Sequence, residues 1–166
     1  LARRFNLIAH SQGGLDSRFL IGVLLDPRPV ALITLSTPHR GTAVADLLTG
    51  VLDPAGFAGS LVDDVFDTLS TYLGFGGTAL SEQLGDLSRP SMELFNTYVR
   101  DVPGVYYASW AGRSCGPLDH GCQEDWRGEV CEALLQPTFE VLSMEEGPND
   151  GMVAVESARW GEFMGE

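Results

Sequence analysis

Two short stretches hold the residue types of nucleophilic catalysis. In the first, an apolar run from Phe5 to Ala9 ends in His10-Ser11-Gln12-Gly13-Gly14, and a helical pattern starts at once. A serine on one sharp turn between strand and helix, with small residues two before and two after it, has the pattern of a nucleophile elbow. Ala9 and Gly13 supply the small residues, and Gly14 widens the margin. Ser11 is then the candidate nucleophile, on a strained turn that pushes its hydroxyl out at the carboxyl end of the strand. The backbone N–H of Gln12 is the candidate oxyanion donor. In the second stretch, Pro148-Asn149-Asp150-Gly151 is tight-turn chemistry. It sets Asp150 on a loop expected to follow a strand. Asp150 is the candidate orienting acid of a Ser-His-Asp triad, and serine before acid is the chain order that accompanies such an elbow.

The triad also needs a histidine, which in this order follows the acid. His10, His39 and His120 all precede Asp150. His39 lies in Ser36-Thr37-Pro38-His39-Arg40-Gly41, which reads as a structural turn at the rim of the site rather than as the base. Cys115, Cys122 and Cys131 crowd one segment, and an odd number leaves at least one unpaired within the chain. A disulfide between Cys115 and Cys122, or buried free thiols, is preferred to a zinc set with His120, because no C-x-x-C pair is present.

The elements that must carry these residues follow from periodicity. Apolar residues at three- and four-residue spacing predict a helix from about Gly13 to Leu25, stopped by Asp26-Pro27. Val30 to Leu35 reads as a strand buried on both faces of a parallel sheet. Strand, helix and strand make a βαβ unit, and the turn after the second strand falls at the sheet edge that bears Ser11. Residues 42 to 103 carry helical patterns at 43–48, 61–73, 80–87 and 91–99, with a turn at 53–56 and a break at 74–77. Short amphipathic helices with glycine hinges are what a lid over an apolar pocket needs, though ordinary packing helices carry the same pattern. The aromatic run Gly104 to Gly112 predicts a third strand. Residues 113–138 look irregular, with a short helix at 129–135. Phe139 to Met144 reads as a brief strand or turn, Glu145 and Glu146 as solvated charges, and Glu156 to Glu166 as a last partial element. The chain therefore divides into an elbow unit (1–41), a helical insertion (42–103) and a segment bearing the aromatic strand, the cysteines and the acid loop (104–166).

The 166 residues suit one soluble globular domain of the α/β class. Acidic residues outnumber basic ones 23 to 10, every basic residue is arginine, and the net charge is −13. That balance argues against nucleic acid or an anionic membrane surface as partner. No apolar run reaches the ~18 residues of a membrane span, and the start of the sequence is not a signal peptide. Compartment and oligomeric state are not legible.

The stretch Phe5 to Arg18, with Ala9-His10-Ser11-Gln12-Gly13-Gly14 at its centre, resembles the elbow of α/β-hydrolase lipases, especially pseudomonad-type bacterial triacylglycerol lipases and related fungal and bacterial proteins. Those usually carry Gly where this chain has Ala9. Three further stretches resemble the family in the right order: Ser36 to Gly41, Tyr106 to Trp110, and Asn149 to Val153. The resemblance implies a mostly parallel sheet with a helical lid insertion. It also implies a serine carboxylic-ester hydrolase acting on lipid esters through an acyl-enzyme, with Ser11 as nucleophile, Asp150 as acid and Gln12 N–H as oxyanion donor. No organic cofactor is implied. The family's structural calcium cannot be assigned to residues here. The missing histidine and second oxyanion donor make the chain read as an internal piece of a longer lipase. The alternatives are a non-catalytic binding protein of the same fold, or an acyltransferase or thioesterase using the same serine.

Overall fold

The computed structural model describes residues 3–57, 59–74, 82, 84–115 and 133–166. Four strands form one parallel sheet in the order β1 (Phe5–His10), β2 (Pro29–Leu35), β3 (Tyr106–Trp110) and β4 (Glu162–Gly165). The sequence indicated three of these, and the partial element at the end of the chain supplies the fourth. Helix α1 (Gln12–Gly22) crosses from β1 to β2. Helices α2 (Ala43–Thr49), α3 (Gly59–Leu73) and α4 (Arg89–Tyr98) lie between β2 and β3 in sequence, and α5 (Gln136–Glu145) and the single turn α6 (Val155–Ala158) lie between β3 and β4.

The register decides what the sheet presents. His10 pairs with Leu35 and Leu35 with Trp110, so β1, β2 and β3 end level. The ladder then continues one residue further: Ser11 N–H donates to Leu35 C=O (3.0 Å) and Ser36 N–H to Trp110 C=O (3.0 Å). Two serines thus stand side by side at the carboxyl edge, where parallel sheets of this kind bind ligands.

Several elements differ from their sequence patterns. The apolar run at Phe5–Ala9 forms a strand whose faces differ, with Asn6, Ile8 and His10 exposed, because β1 is an edge of the described sheet. Helix α1 stops at Gly22, not Leu25. Val23 and Leu24 both donate to Phe19 C=O, and Leu25 turns left-handed at φ 54°. Residues 139–144 are helical, not strand or turn. Pro137 sits in the first turn of α5, where a missing N–H is harmless, and Val141 and Leu142 are buried against α2 and α3. Packing there outweighs the β-favouring residue types. The acid loop consequently follows a helix rather than a strand. Of the expected helix at 80–87, Glu82, Leu84 and Gly85 are helical and Asp86 and Leu87 form a turn; of that at 129–135, the described part, Ala133–Leu135, is a single 3-10 turn, and His120, Cys122 and Cys131 lie outside the described residues. Cys115 is buried and disulfide-bonded, which removes its thiolate from the zinc alternative.

The main core joins α2, α3 and α5 through Ala43, Val44, Leu47, Val65, Leu69, Val141 and Leu142. A charge cluster ties α2 and α5 to α4. Asp46, buried, pairs with the Arg89 side chain and accepts its backbone N–H at 2.8 Å, and Arg89 also faces Glu145 (3.8 Å) and Glu146 (3.9 Å). Glu146 is not a solvated charge. Its Oε1 accepts Ala43 N–H at 2.8 Å, capping α2, and burial raises its pKa despite that bond and Arg89. Among the described residues no helix is long and apolar enough to cross a membrane.

The glycines after Ser11 have unequal roles. A Cβ at Gly13 would lie 4.0 Å from the Cβ of Ala9, an ordinary contact. A Cβ at Gly14 would lie 2.2 Å from Thr37 Oγ1 and 2.7 Å from its Cγ2. Gly14, which the sequence marked only as extra room, is the position with none to spare. Gly14→Ala is expected to destabilise the full-length protein by about 1–3 kcal/mol through overpacking, while Gly13→Ala stays within about 0.5 kcal/mol of the parent. Urea denaturation of the two variants checks this; equal stabilities would refute it.

Candidate functional site

Ser11 has φ 52° and ψ −135°, a conformation that costs a non-glycine residue about 1–3 kcal/mol and that persists only where neighbours enforce it. Three hydrogen bonds do so. Its N–H is held by Leu35 C=O, and its C=O accepts from Gly14 N–H (3.0 Å) and from the Thr37 hydroxyl (2.8 Å). Ser36, one strand over, is also left-handed at φ 44°, and its Oγ accepts Gly112 N–H at 3.0 Å.

Asp150 is fixed just as tightly. Its Oδ1 accepts two backbone N–H groups, from Met152 (2.9 Å) and Val153 (2.8 Å). Its Oδ2 receives no hydrogen bond among the described residues and lies beside Gly112, where an added Cβ would come within 2.9 Å of it. The preceding residue anchors the loop. Asn149 is fully buried, donates to Gly147 C=O (2.9 Å) and Ser143 Oγ (3.0 Å), and accepts Gly151 N–H at 2.8 Å. Ser11, Asp150, Ser36 and His10 line one pocket of about 200 Å³, closed on its apolar side by Leu135, Met152 and Val153. Two elements 139 residues apart in sequence, Ser11 and Asp150, are thus brought to one cavity. Gln12 begins α1 immediately beside it.

His39 is structural, as its turn suggested. It is fully buried and stacks on Trp160 at 5.2 Å. Its Nδ1 faces Arg18 NH1 at 3.3 Å and its Nε2 faces Thr34 Oγ1 at 3.0 Å. Arginine only donates, so Nδ1 must accept and the ring proton sits on Nε2. Neither nitrogen is left for a proton from Ser11. Burial, then the charges of Arg18 and Arg40, push the His39 pKa down to about 2.

Sequence reasoning missed Arg18. It lies on α1, 2% exposed, with no ion pair to a carboxylate among the described residues. Its NH2 donates to Val99 C=O at 3.1 Å, and its guanidinium lies 3.5 Å over the Trp160 ring. Burial lowers its pKa to about 10, so it stays charged at neutral pH. The only sequence hint was an arginine interrupting the apolar pattern of the helix. A second feature, also unpredicted, is an apolar groove of about 520 Å³ between α1 and α4, starting at Gln12 and lined by Leu15, Phe19, Met92 and Phe95.

With this geometry in hand, comparison with known proteins is decisive for the fold. Triacylglycerol lipase 2 of Saccharomyces cerevisiae is 32% identical over 165 residues, covering 96% of this chain and 42% of the yeast protein. The triacylglycerol lipase of Pseudarthrobacter phenanthrenivorans is 34% identical over 153 residues, covering 86% and 46%. The mature Bacillus licheniformis lipase crystal structure superposes with a TM-score of 0.67 at 26% identity, covering 99% of this chain and 58% of that one. The chain is an α/β-hydrolase-fold protein, homologous to bacterial and fungal lipases and esterases. No protein-family model matches it. This hydrolase-fold chain spans less than half the length of the two curated relatives.

The His39 environment gives a pH dependence with a fixed sign. The folded pKa of about 2 lies below the ordinary 6.5, so the unfolded chain takes up a proton that the folded one refuses. Stability from this group is complete above pH 6.5 and falls as pH drops from there, with a slope approaching about 1.4 kcal/mol per pH unit. Urea titrations of the full-length protein at pH 7.0 and 5.5 are expected to show a smaller difference for His39→Gln than for the parent. An unchanged difference would contradict a buried neutral imidazole.

Proposed function

We propose that the protein is a serine carboxylic-ester hydrolase acting on lipid esters, with Ser11 as nucleophile, Asp150 as triad acid and the Gln12 N–H as one oxyanion donor. The observation that carries this reading is a left-handed serine at a strand–helix junction that shares a pocket with a carboxylate whose Oδ2 is open. Homology to lipases and esterases supports the same class. The base is a histidine from the longer protein, seated between Ser11 and Asp150 with one ring nitrogen on each.

In this mechanism the histidine takes the Ser11 hydroxyl proton as Oγ bonds to the ester carbonyl carbon, and the carbonyl π electrons move to its oxygen. That oxyanion meets Gln12 N–H. Collapse breaks the bond to the alkoxy oxygen, which leaves as the alcohol with the proton from the histidine. Water, deprotonated by the same histidine, then attacks the acyl carbon; the histidine returns that proton to Ser11 Oγ as the bond to Oγ breaks, releasing the acid and restoring the serine. Asp150 Oδ2 accepts the histidine's other N–H and stabilises the imidazolium, and Oδ1 is already committed to the loop backbone. The α1–α4 groove beginning at Gln12 supports an apolar acyl group over a polar one.

In the full-length protein, Ser11→Ala is expected to abolish hydrolysis of p-nitrophenyl esters and labelling by a fluorophosphonate. Asp150→Asn is expected to lower kcat by roughly 10⁴-fold, the scale of removing a triad acid. A parent protein that neither turns over nor labels would instead be a non-catalytic member of the fold. Faster transfer to an alcohol or thiol acceptor than to water would identify an acyltransferase.

A further inference from the structure

The peptide group between Ser11 and Gln12 has two ends. One is the Ser11 carbonyl and the other is the Gln12 N–H. Because a trans peptide is planar, the two point in opposite directions and cannot be aimed independently. Whatever grips the Ser11 oxygen therefore sets the direction of the Gln12 N–H. In a regular helix that oxygen would be held only by a backbone N–H one turn on. Here it also accepts a hydrogen bond of 2.8 Å from the hydroxyl of Thr37, which arrives from the loop after β2 and is fully buried.

We propose that Thr37 is a positioning residue for the oxyanion donor: its hydroxyl clamps the Ser11 carbonyl and so aims and strengthens the N–H of Gln12. This rests on the assignment of Gln12 above. Aiming follows from planarity. Strengthening follows from polarisation, since a peptide whose oxygen accepts a hydrogen bond donates a better one from its nitrogen.

Three observations bind Thr37 to this task. Its side chain occupies the space that a Cβ on Gly14 would fill, with clashes of 2.2, 2.7 and 2.9 Å, so the helix after Ser11 gives up a side chain to admit it. Its backbone is tied down as well: His39 N–H donates to Thr37 C=O at 2.8 Å, and His39 is locked in the Arg18–Trp160 cluster. Finally, Ser11 is strained, so its peptide does not hold this orientation by intrinsic preference. A hydroxyl filling space alone would need none of these.

The test uses the full-length protein and the series Thr37→Val, Thr37→Ser and Thr37→Ala. Valine keeps the shape and removes the donor; serine keeps the donor and removes the methyl. The expected result for Thr37→Val is a fall in kcat of about 10-fold with KM within 2-fold of the parent. This is smaller than the ~10²–10³-fold of losing an oxyanion donor outright, because the N–H is misaimed rather than absent. A boronic acid inhibitor, whose tetrahedral adduct uses the oxyanion donors, is expected to bind about 10-fold more weakly. Thr37→Ser is expected to restore both to within 3-fold. If Thr37→Val fails to fold, Thr37→Ser and Thr37→Ala carry the comparison, since both lack the methyl and only one keeps the hydroxyl. Equal kcat and boronate affinity across a donor-keeping and a donor-lacking variant would overturn the proposal. Ser11→Ala separates the two readings: if it stays active, the site assignment has failed, whereas a dead Ser11→Ala beside a fully active Thr37→Val removes only the role of Thr37.

Discussion

A non-glycine residue at positive φ has to be held there, and the structure around Ser11 is arranged to hold it. The parallel ladder fixes its N–H on β2, the first turn of α1 takes its C=O through Gly14, and the loop after β2 adds the Thr37 hydroxyl. Each restraint comes from a different element, so the turn keeps its shape only while sheet, helix and loop stay in register. The level ends of β1, β2 and β3 are what make this possible. A slip of one residue would carry Leu35 O away from Ser11 N and exchange the faces on which every side chain of β1 lies.

The opposite side of the site is governed by burial of charge. Arg18 is enclosed with no ion pair to a carboxylate among the described residues, a situation that normally carries a heavy desolvation penalty. Its compensation is distributed: the Val99 carbonyl, the Trp160 ring face at 3.5 Å, and the lone pair of a histidine that stays neutral. Asp101 adds its negative charge at longer range and also accepts the Trp160 indole N–H at 3.0 Å. The cluster links α1, the loop after β2, the end of α4 and the approach to β4. It therefore couples the helix after Ser11 to the far edge of the sheet without occupying the pocket.

Local patterns marked the Ser11 turn and the Asp150 loop because each is a short, self-contained chemical requirement. A strand–serine–helix junction needs small neighbours, and a tight turn needs Asn, Asp and Gly, wherever they sit in a fold. What the sequence concealed depends on neighbours distant along the chain. Residues 139–144 carry strand-favouring types yet form a helix, because α2 and α3 offer Val141 and Leu142 a buried face. Glu146 has the composition of a surface charge, and only the approach of Ala43 N–H and Arg89 turns it inward. Gly14 looked like extra room beside Gly13 until Thr37, twenty-three residues later, came to rest against it.

Asp150 is positioned by a different strategy from Ser11. Ser11 is held by strands, whereas Asp150 follows helix α5 and depends on Asn149, which bonds to Gly147 and Gly151 in its own loop and to Ser143 on α5. Asn149 binds that loop to Ser143 on α5, and α5 in turn is locked to α2 and α4 by its core and by Glu145 and Glu146 against Arg89. The location of the carboxylate is thus set by helix packing, while the serine's is set by sheet register. The two systems meet at Gly112, which touches both Ser36 and Asp150, and a side chain there would force them apart. A glycine just beyond β3 is the condition under which two independently built halves can share one pocket.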